Sequence, residues 1–381
     1  MSHDVIIIGA GPVGLLLSLL LGRRGLKVLV LEKRTELPRQ SQAIGITPPS
    51  LEILDMAGVA PAFIQSGVRI QECHVHGRIG RVGRVSFREI GGAYRFILSL
   101  PQRQTMRLLE QALAQQPGVT LIRGVEVLRV AQQAEGVLVQ ARDVDYEFKA
   151  AYVVACDGWR SSVRELLGIR TRRRDYGCHF VMGDFTDRTG LGEEAHVFFT
   201  PTGAVESFPL PGGQRRWIVQ TNDPKELIPQ VRLRAGCLLN EADQLHESAF
   251  SPLRIDCDHM RAGRVLLCGD AAHVMSPIGG QGMNTGFADA EFAAEALHAI
   301  LRRGEDAEHW LRDYERCRQK SARSAARRAE WGMGLGVWRG EKRSLLRDFI
   351  FRHVLLHGPL SRHVAPWFAM RSLPCNRLKR A

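Results

Sequence analysis

The eight cysteines, Cys73, Cys156, Cys178, Cys237, Cys257, Cys268, Cys317 and Cys375, include no Cys-x-x-Cys pair. The spacing therefore encodes neither a zinc site nor a dithiol couple, and the expectation is reduced, mostly buried thiols and no metal. No apolar run is long enough to span a bilayer. Low-complexity tracts and repeats at solenoid or propeller periods are missing, which excludes those architectures. Aromatic residues make up only 7% of the chain, and no zinc-finger, basic-zipper or single-strand stacking signature accompanies the basic residues. The chain opens almost at once on a core strand, leaving no room for a leader peptide, so cytoplasm is the expected location.

What is present is a 381-residue chain with a formal charge of +12, from 52 Lys and Arg against 40 Asp and Glu. That length implies two associated domains and a terminal element. The positive excess favours anionic partners, namely cofactor phosphates, acidic small molecules or a membrane surface. Basic residues are spread along the chain among acids, so nucleic acid is not an expected partner.

Asp4-Val-Ile-Ile-Ile-Gly9 reads as a strand apolar on both faces, as a central parallel strand covered by helices must be. Gly9, Gly11 and Gly14, with Pro12 and Val13 between them, form G-x-G-x-x-G, and a leucine-rich helix over 15–25 and a second strand over 27–31 follow. Gly9 permits the tight turn, Gly11 admits a pyrophosphate against the backbone, and Gly14 lets helix and strand pack closely. The helix N-terminus receives the negative charge. Glu32 ends the second strand, where a carboxylate accepts hydrogen bonds from a ribose diol; Lys33 and Arg34 come next. This unit binds the ADP half of a dinucleotide without separating FAD from NAD.

Two later motifs separate them. Tyr152-Val-Val-Ala-Cys-Asp157-Gly158 is a buried strand ending in Asp-Gly, with Ser161 or Ser162 as helix cap. Gly263-Arg-Val-Leu-Leu-Cys-Gly269-Asp270 is another strand, ending in Gly-Asp. It precedes Pro277-Ile-Gly-Gly-Gln-Gly-Met-Asn284-Thr-Gly286 and a helix over 287–301. A carboxylate at such a strand end binds a ribityl hydroxyl, and the free amides of a glycine turn face the pyrimidine edge of a flavin. So dense a glycine run after an acid costs conformational entropy unless the backbone approaches a ligand closely.

In this order the three segments resemble the para-hydroxybenzoate hydroxylase family of flavoprotein monooxygenases across most of residues 1–330. The resemblance implies that Gly9, Gly11, Gly14 and Glu32 hold the ADP part of FAD. It implies that Asp157 and Gly158 serve FAD and NAD(P)H together, and that Gly269 and Asp270 meet the ribityl chain. Gln102 and Arg103, in Leu100-Pro101-Gln102-Arg103, fall where the family touches the flavin. Pro277 falls beside the reactive edge of the isoalloxazine, with Gly280, Gln281, Gly282, Met283 and Asn284 along the same face. Gln42 stands where the family often has an arginine, with Arg34 and Arg39 close by, and Phe287-Ala288 replaces Ile-Gln.

Between the Asp-Gly and Gly-Asp motifs, 195–220 alternates as an antiparallel meander broken by Pro-Thr-Gly and Pro-Gly-Gly turns. The expected fold is α/β: a Rossmann-like FAD-binding domain (1–72, 97–173 and 258–330), an inserted antiparallel-sheet substrate domain (73–96 and 174–257), and a C-terminal helical cap (331–381). Alternation puts His196, Phe198 and Thr200 on one face and Val197 and Phe199 on the other, without saying which meets substrate. Phe198, Phe208 and Trp217 read as core before ligand contacts, and His273 as a core histidine. In the tail, Leu346, Ile350 and Val354 form one stripe, with Pro359 and Pro366 as breaks. A helical cap is the favoured reading. Trp338, Phe349, Phe351 and Trp367 among basic residues also admit peripheral membrane contact.

The resemblance implies that NAD(P)H, as NADPH or NADH, reduces FAD, and that a flavin C4a-hydroperoxide then hydroxylates an aromatic or polyketide-like small molecule with O2. Pro277 and His196 are the candidate catalytic residues, with His179 and Tyr176 as further candidate bases for a phenolic substrate. A halogenase or reductase of the same fold is the alternative, as is a non-enzymatic flavin redox sensor; Trp-x-Trp-x-Ile-Pro, the halogenase signature, is absent. No second G-x-G-x-x-G marks a separate NAD(P)H site. A monomer or homodimer is expected.

Overall fold

The computed structural model describes residues 2–38, 43–78, 80–221, 223–277, 279–336, 338, 340–358 and 360–375. Gln42, Arg39, Ile278 and Pro359 lie outside them.

The strand Ser2–Ile8 lies at the centre of an eight-stranded sheet, parallel to Val28–Glu32 on one side and to Phe148–Ala155 on the other. Val119–Arg123 beyond Val28–Glu32 and Val265–Leu267 beyond Phe148–Ala155 extend it in parallel. Val5, Ile6 and Ile7 have no exposed surface, because helices cover both faces, which is why this strand is apolar at consecutive positions instead of alternating. The helix Pro12–Gly22 starts earlier and stops earlier than the leucine run suggests, since Pro12 is favoured in the first turn and Arg23 already caps its end.

A second sheet has seven strands in the order Gln244–Phe250, Phe180–Thr186, Gln214–Gln220, Gly203–Leu210, Ala195–Thr200, Glu72–Gly77 and Gly80–Ser86. The expected meander is its middle. Strands from distant parts of the chain meet where Ala195–Thr200 runs parallel to Glu72–Gly77, pairing His196 with His74 and Val197 with Val75. Leu253–Cys257, read from the sequence as part of the substrate sheet, instead pairs with Thr171–Asp175 and His273–Val274 in a separate three-stranded sheet.

The helix Gln281–Arg303 begins six residues before the expected start, because Gly279 and Gly280 adopt left-handed backbone that turns the chain directly into it. It packs on the long helix Ala307–Gly336. The tail follows as Glu341–Ile350, a wide helical turn Phe351–Leu356, and Ser361–Phe368, which carries Pro366 inside it. Phe351 is buried and stacks on Phe199 of the second sheet, and Trp367 packs on Trp331. Phe351 thus ties the tail to the second sheet. Among the described residues, no helix is long and apolar enough to cross a membrane.

Candidate functional site

The ends of the parallel strands open onto one cavity of about 1790 Å3, bounded opposite by the seven-stranded sheet and the capping helices. A drug-sized ligand occupies roughly 300–1,000 Å3, so this space suits a dinucleotide and a second molecule together.

Gly9, Gly11, Pro12 and Val13 line one end. Gly9 has φ +104°, and a Cβ there would strike the Cys156 carbonyl, so only glycine fits. A Cβ on Gly11 meets nothing within 4 Å: its front is open cavity. Gly14 is not at the surface; a Cβ there would strike the carbonyl oxygen of Gly9. The helix begun by Gly11 has no side-chain cap, leaving its first amides available to an anion. Glu32 accepts from the Ala10 amide at 2.7 Å and the Arg34 amide at 2.9 Å, so it braces the glycine turn as well as lining the cavity beside Lys33 and Arg34.

Asp157 follows the second motif strand. Its Oδ2 accepts from the Val163 amide at 3.2 Å, while Oδ1 is buried without a partner. Gly158, at φ +85°, lets the chain turn beside it, and Ser161 caps the next helix. Asp270 points into the cavity with no partner in the protein. Its side chain is open to the cavity, and desolvation by the surrounding protein pushes its carboxyl up, with His273 partly offsetting the effect. Behind it, Gly269 packs on Val13. The Gly269 amide donates to Asp289 at 2.9 Å, and His273 Nε2 and Arg318 Nε reach the same carboxylate at 2.7 and 2.6 Å. His273 is therefore a buried partner of Asp289, as a core histidine is, with no place in the cavity wall.

Pro277, Gly280, Gln281, Gly282 and Met283 line the middle of the cavity. The helix they start has no side-chain cap, and Gln281 Oε1 is buried without a partner. Asn284 has its hydrogen-bonding capacity spent inside the protein: Nδ2 donates to Gly45 O and Gly280 O at 2.9 and 2.6 Å, and Oδ1 accepts from the Thr47 amide at 2.9 Å. It fastens the 45–47 segment to the helix start, so its expected place among direct cofactor contacts is corrected to a positioning one. Gln102 lines the cavity, whereas Arg103, next to it on the helix, is exposed and is not among the lining residues.

The same geometry corrects the candidate bases. Ala195, Val197 and Phe199 face the cavity, so His196, on the other side of the strand, faces away. It stacks between His74 and His76, and His74 bonds to Glu194. Burial holds His76 and His196 down at about 4. The ligand atoms of His74, Glu194 and His196 lie within 4.8 Å of one another, the one grouping among the described residues with the donor types of a metal site. His179 is exposed and bonds to Ser251, and the Tyr176 hydroxyl donates to Glu330 at 2.8 Å outside the cavity. Substituting His196→Gln is expected to lower thermal stability by about 1–3 kcal/mol through a disturbed buried polar cluster, and to leave the pH profile of turnover unmoved. A displaced profile would return His196 to the site.

Phe198 and Trp217 pack with Val181, Phe185 and Leu227 beneath the sheet, whereas Phe208 lines the cavity. One residue escaped the sequence reading. Glu206 stands between Ala204 and Phe208 on the cavity face. The available signal was a lone acid at an alternate position of an otherwise apolar strand face.

The free edge of Asp157, the unpaired Asp270 and Gln281 Oε1, two uncapped helix starts and the clearance at Gly11 fit FAD. A sequence-family profile described as "FAD binding domain" matches residues 2–329. The chain is 33% identical over 302 residues to rifampicin monooxygenase of Streptomyces venezuelae, covering 75% of this chain and 62% of that protein. Among solved structures, anhydrotetracycline hydroxylase of Streptomyces rimosus superposes with a TM-score of 0.78 at 29% identity, over 98% of this chain and 77% of the other. The p-nitrophenol 4-monooxygenase of Pseudomonas putida shares the fold over the full length of both chains, with a TM-score of 0.88 at 23% identity. The chain spans about three-fifths of the length of curated relatives it matches, 62%, 61% and 61% for three of them.

Proposed function

The chain belongs to the para-hydroxybenzoate hydroxylase family of FAD-dependent monooxygenases, and from that premise we propose that it hydroxylates an aromatic or polyketide-like small molecule using NAD(P)H and O2. The observation carrying this reading is the single cavity that joins the FAD-binding motifs to an apolar sheet wall. When bound, FAD supplies the activation of oxygen, which no side chain performs.

The protein's part is binding, orientation and the exclusion of water. Gly9, Gly11, Pro12 and Val13, with the helix they start, take the pyrophosphate, while Glu32, Lys33 and Arg34 surround the adenosine end. Asp157 and Asp270 accept from hydroxyls along the cofactor. Pro277 and Gly280 to Met283 form the wall next to the reacting centre, and the amides of that helix start favour negative charge there. Val197, Phe199 and Phe208 supply the apolar surface for a ring system. The tail closes the space with Trp331 and Trp367. Any contact of the tail with lipid would fall to its exposed Leu345, Leu346, Phe349 and Leu360.

The purified protein is expected to carry a flavin spectrum and to oxidise NADPH or NADH faster when a phenol, quinolone or anthraquinone is added, with an oxygenated product by mass spectrometry. Bound flavin with no direct oxidation under any ligand would move the reading to a reductase-dependent enzyme or a sensor. Replacing Asp270 with alanine removes one charge-assisted hydrogen bond, worth about 1.5–3 kcal/mol, so FAD affinity should fall about 10- to 100-fold in a fluorescence titration.

A further inference from the structure

Glu206 is an acid placed where acids are disfavoured. It lies mid-strand on the cavity face, and its direct neighbours across the sheet, Val197 and Ile218, are apolar. Among the described residues, no hydrogen bond or ion pair satisfies its carboxyl. The other charged side chains on this face, Arg216 and Asp184, are bound to each other by two hydrogen bonds of 2.6 and 2.8 Å. Cys73, one strand further along the same face, feels the Glu206 charge, and burial pushes its thiol up to about 12, leaving it neutral. Arg327, Arg328 and His363 on the helical side and Glu32, Lys33, Arg34, Glu126, Asp157, Arg160 and Asp270 at the cofactor end are the other charged or histidine side chains facing the space; none of them is hydrogen-bonded to Glu206.

A buried polar group without a partner costs free energy that a well-packed leucine would not. In a binding cavity that cost is recovered only when a ligand supplies the missing donor. We propose that Glu206 is the residue that selects and orients the substrate, accepting a hydrogen bond from a ring hydroxyl and excluding aromatic carboxylates. This rests on the hydroxylase reading above and names the substrate class of that site: a neutral, hydroxyl-bearing aromatic. Glu206 also takes the ring hydroxyl's proton: the O–H bond breaks, its electron pair stays on the ring oxygen, and the proton adds to a carboxylate oxygen. No oxidant is needed for this step, and the ring left behind is richer in electrons.

Burial pushes the Glu206 carboxyl from 4.5 up to about 7. It is neutral below that value and a carboxylate above it, so its preference for a hydroxyl, and its rejection of a carboxylate, strengthen as pH rises through about 7.

The test compares 2-naphthol, 2-methoxynaphthalene and 2-naphthoate as probes on the FAD-loaded protein. Binding is followed by naphthalene fluorescence and by perturbation of the flavin band at pH 6 and pH 8. At pH 8 the parent protein is expected to bind naphthol at least about tenfold tighter than its methyl ether, as a hydrogen bond to a charged group implies, and naphthoate weakest. In Glu206→Gln the gap between naphthol and ether closes and naphthoate gains affinity. As a ligand-free check, Glu206→Gln should raise the melting temperature at pH 8 and not at pH 4, because the raised folded-state value destabilises the parent only once pH exceeds the unfolded one. Equal binding of naphthol and ether by the parent, tightest binding of naphthoate at pH 8, or a preference that survives Glu206→Gln would overturn the role of Glu206 and leave the hydroxylase reading standing if aromatics still stimulate NAD(P)H oxidation. Flavin-loaded protein that holds no aromatic and shows no stimulated oxidation would remove both.

Discussion

Asp289→Ala is expected to unfold about 3–5 kcal/mol more easily than the parent and to lose much of its bound flavin. The carboxylate has no exposed surface and is held by the His273 ring, the Arg318 guanidinium and the Gly269 amide. Burial alone would push this acid up; His273 and Arg318 outweigh it and hold the carboxyl below its ordinary value. Removing it leaves a fully buried arginine without its counter-charge, since the other Arg318 contacts are the carbonyls of Cys375 and Thr285. It also frees the amide that holds the Gly269–Asp270 turn at the cavity. A urea titration with flavin absorbance as a second signal measures both effects. The double substitution Asp289→Ala with Arg318→Met should recover most of the stability, because the cost lies in the unpaired charge and not in the missing bond. A double variant as unstable as Asp289→Ala alone would assign the loss to packing. The pair's contribution is present above the unfolded-state value near 3.8 and is lost as pH falls through the lower folded-state one, so the parent and Asp289→Ala should converge in stability in acid.

The second large effect separates two glycines three residues apart. Gly14→Ala puts a methyl against the backbone oxygen of Gly9, with the Cys156 side chain 3.2 Å away on another side. Neither backbone segment has room to retreat, because one belongs to the central strand's turn and the other to the helix packed on it. The expected cost is about 3 kcal/mol, the upper range for overpacking, with poor flavin loading as a consequence. Gly11→Ala has the opposite profile. Its backbone, at φ −72° and ψ 177°, suits any residue, and the added methyl touches nothing in the protein. The flavin-free variant should therefore melt like the flavin-free parent, yet bind FAD markedly more weakly, because the methyl occupies the space where the pyrophosphate approaches the backbone. Melting curves with and without FAD distinguish the two; a Gly11→Ala protein with parental FAD affinity would move the pyrophosphate elsewhere in the cavity.

The dinucleotide motif was legible because its constraints are local. Ser2–Ile8, the glycine turn, Pro12–Gly22 and Glu32 lie within some thirty residues, and Gly14 answers to the Gly9 backbone in that short span, although Gly9 also answers to Cys156 at the end of a distant strand. The Asp-Gly and Gly-Asp motifs were legible for the same reason, as strand ends followed by turns only glycine permits. The early start of Gln281–Arg303 was hidden because a run of glycines suppresses helix propensity, and the cavity-facing turn overrides it. Asn284 looked like a ligand because the 45–47 segment that occupies it lies far away along the sequence; only folding brings the two together.

The sheet wall marks the limit most clearly. Alternation established that His196 and Val197 lie on opposite faces, but both faces are buried, one beneath the Leu227–Ala235 helix and one toward the cavity, so hydropathy carries no sign to tell them apart. From the sequence alone came three short motifs whose resemblance to one family implied FAD, and a meander inserted between two of them, since strand ends and glycine turns are encoded over short spans. Tertiary structure alone decided which side of that meander meets the cavity, turning His196 away and leaving Glu206 within it, because that choice depends on packing between segments far apart in the chain.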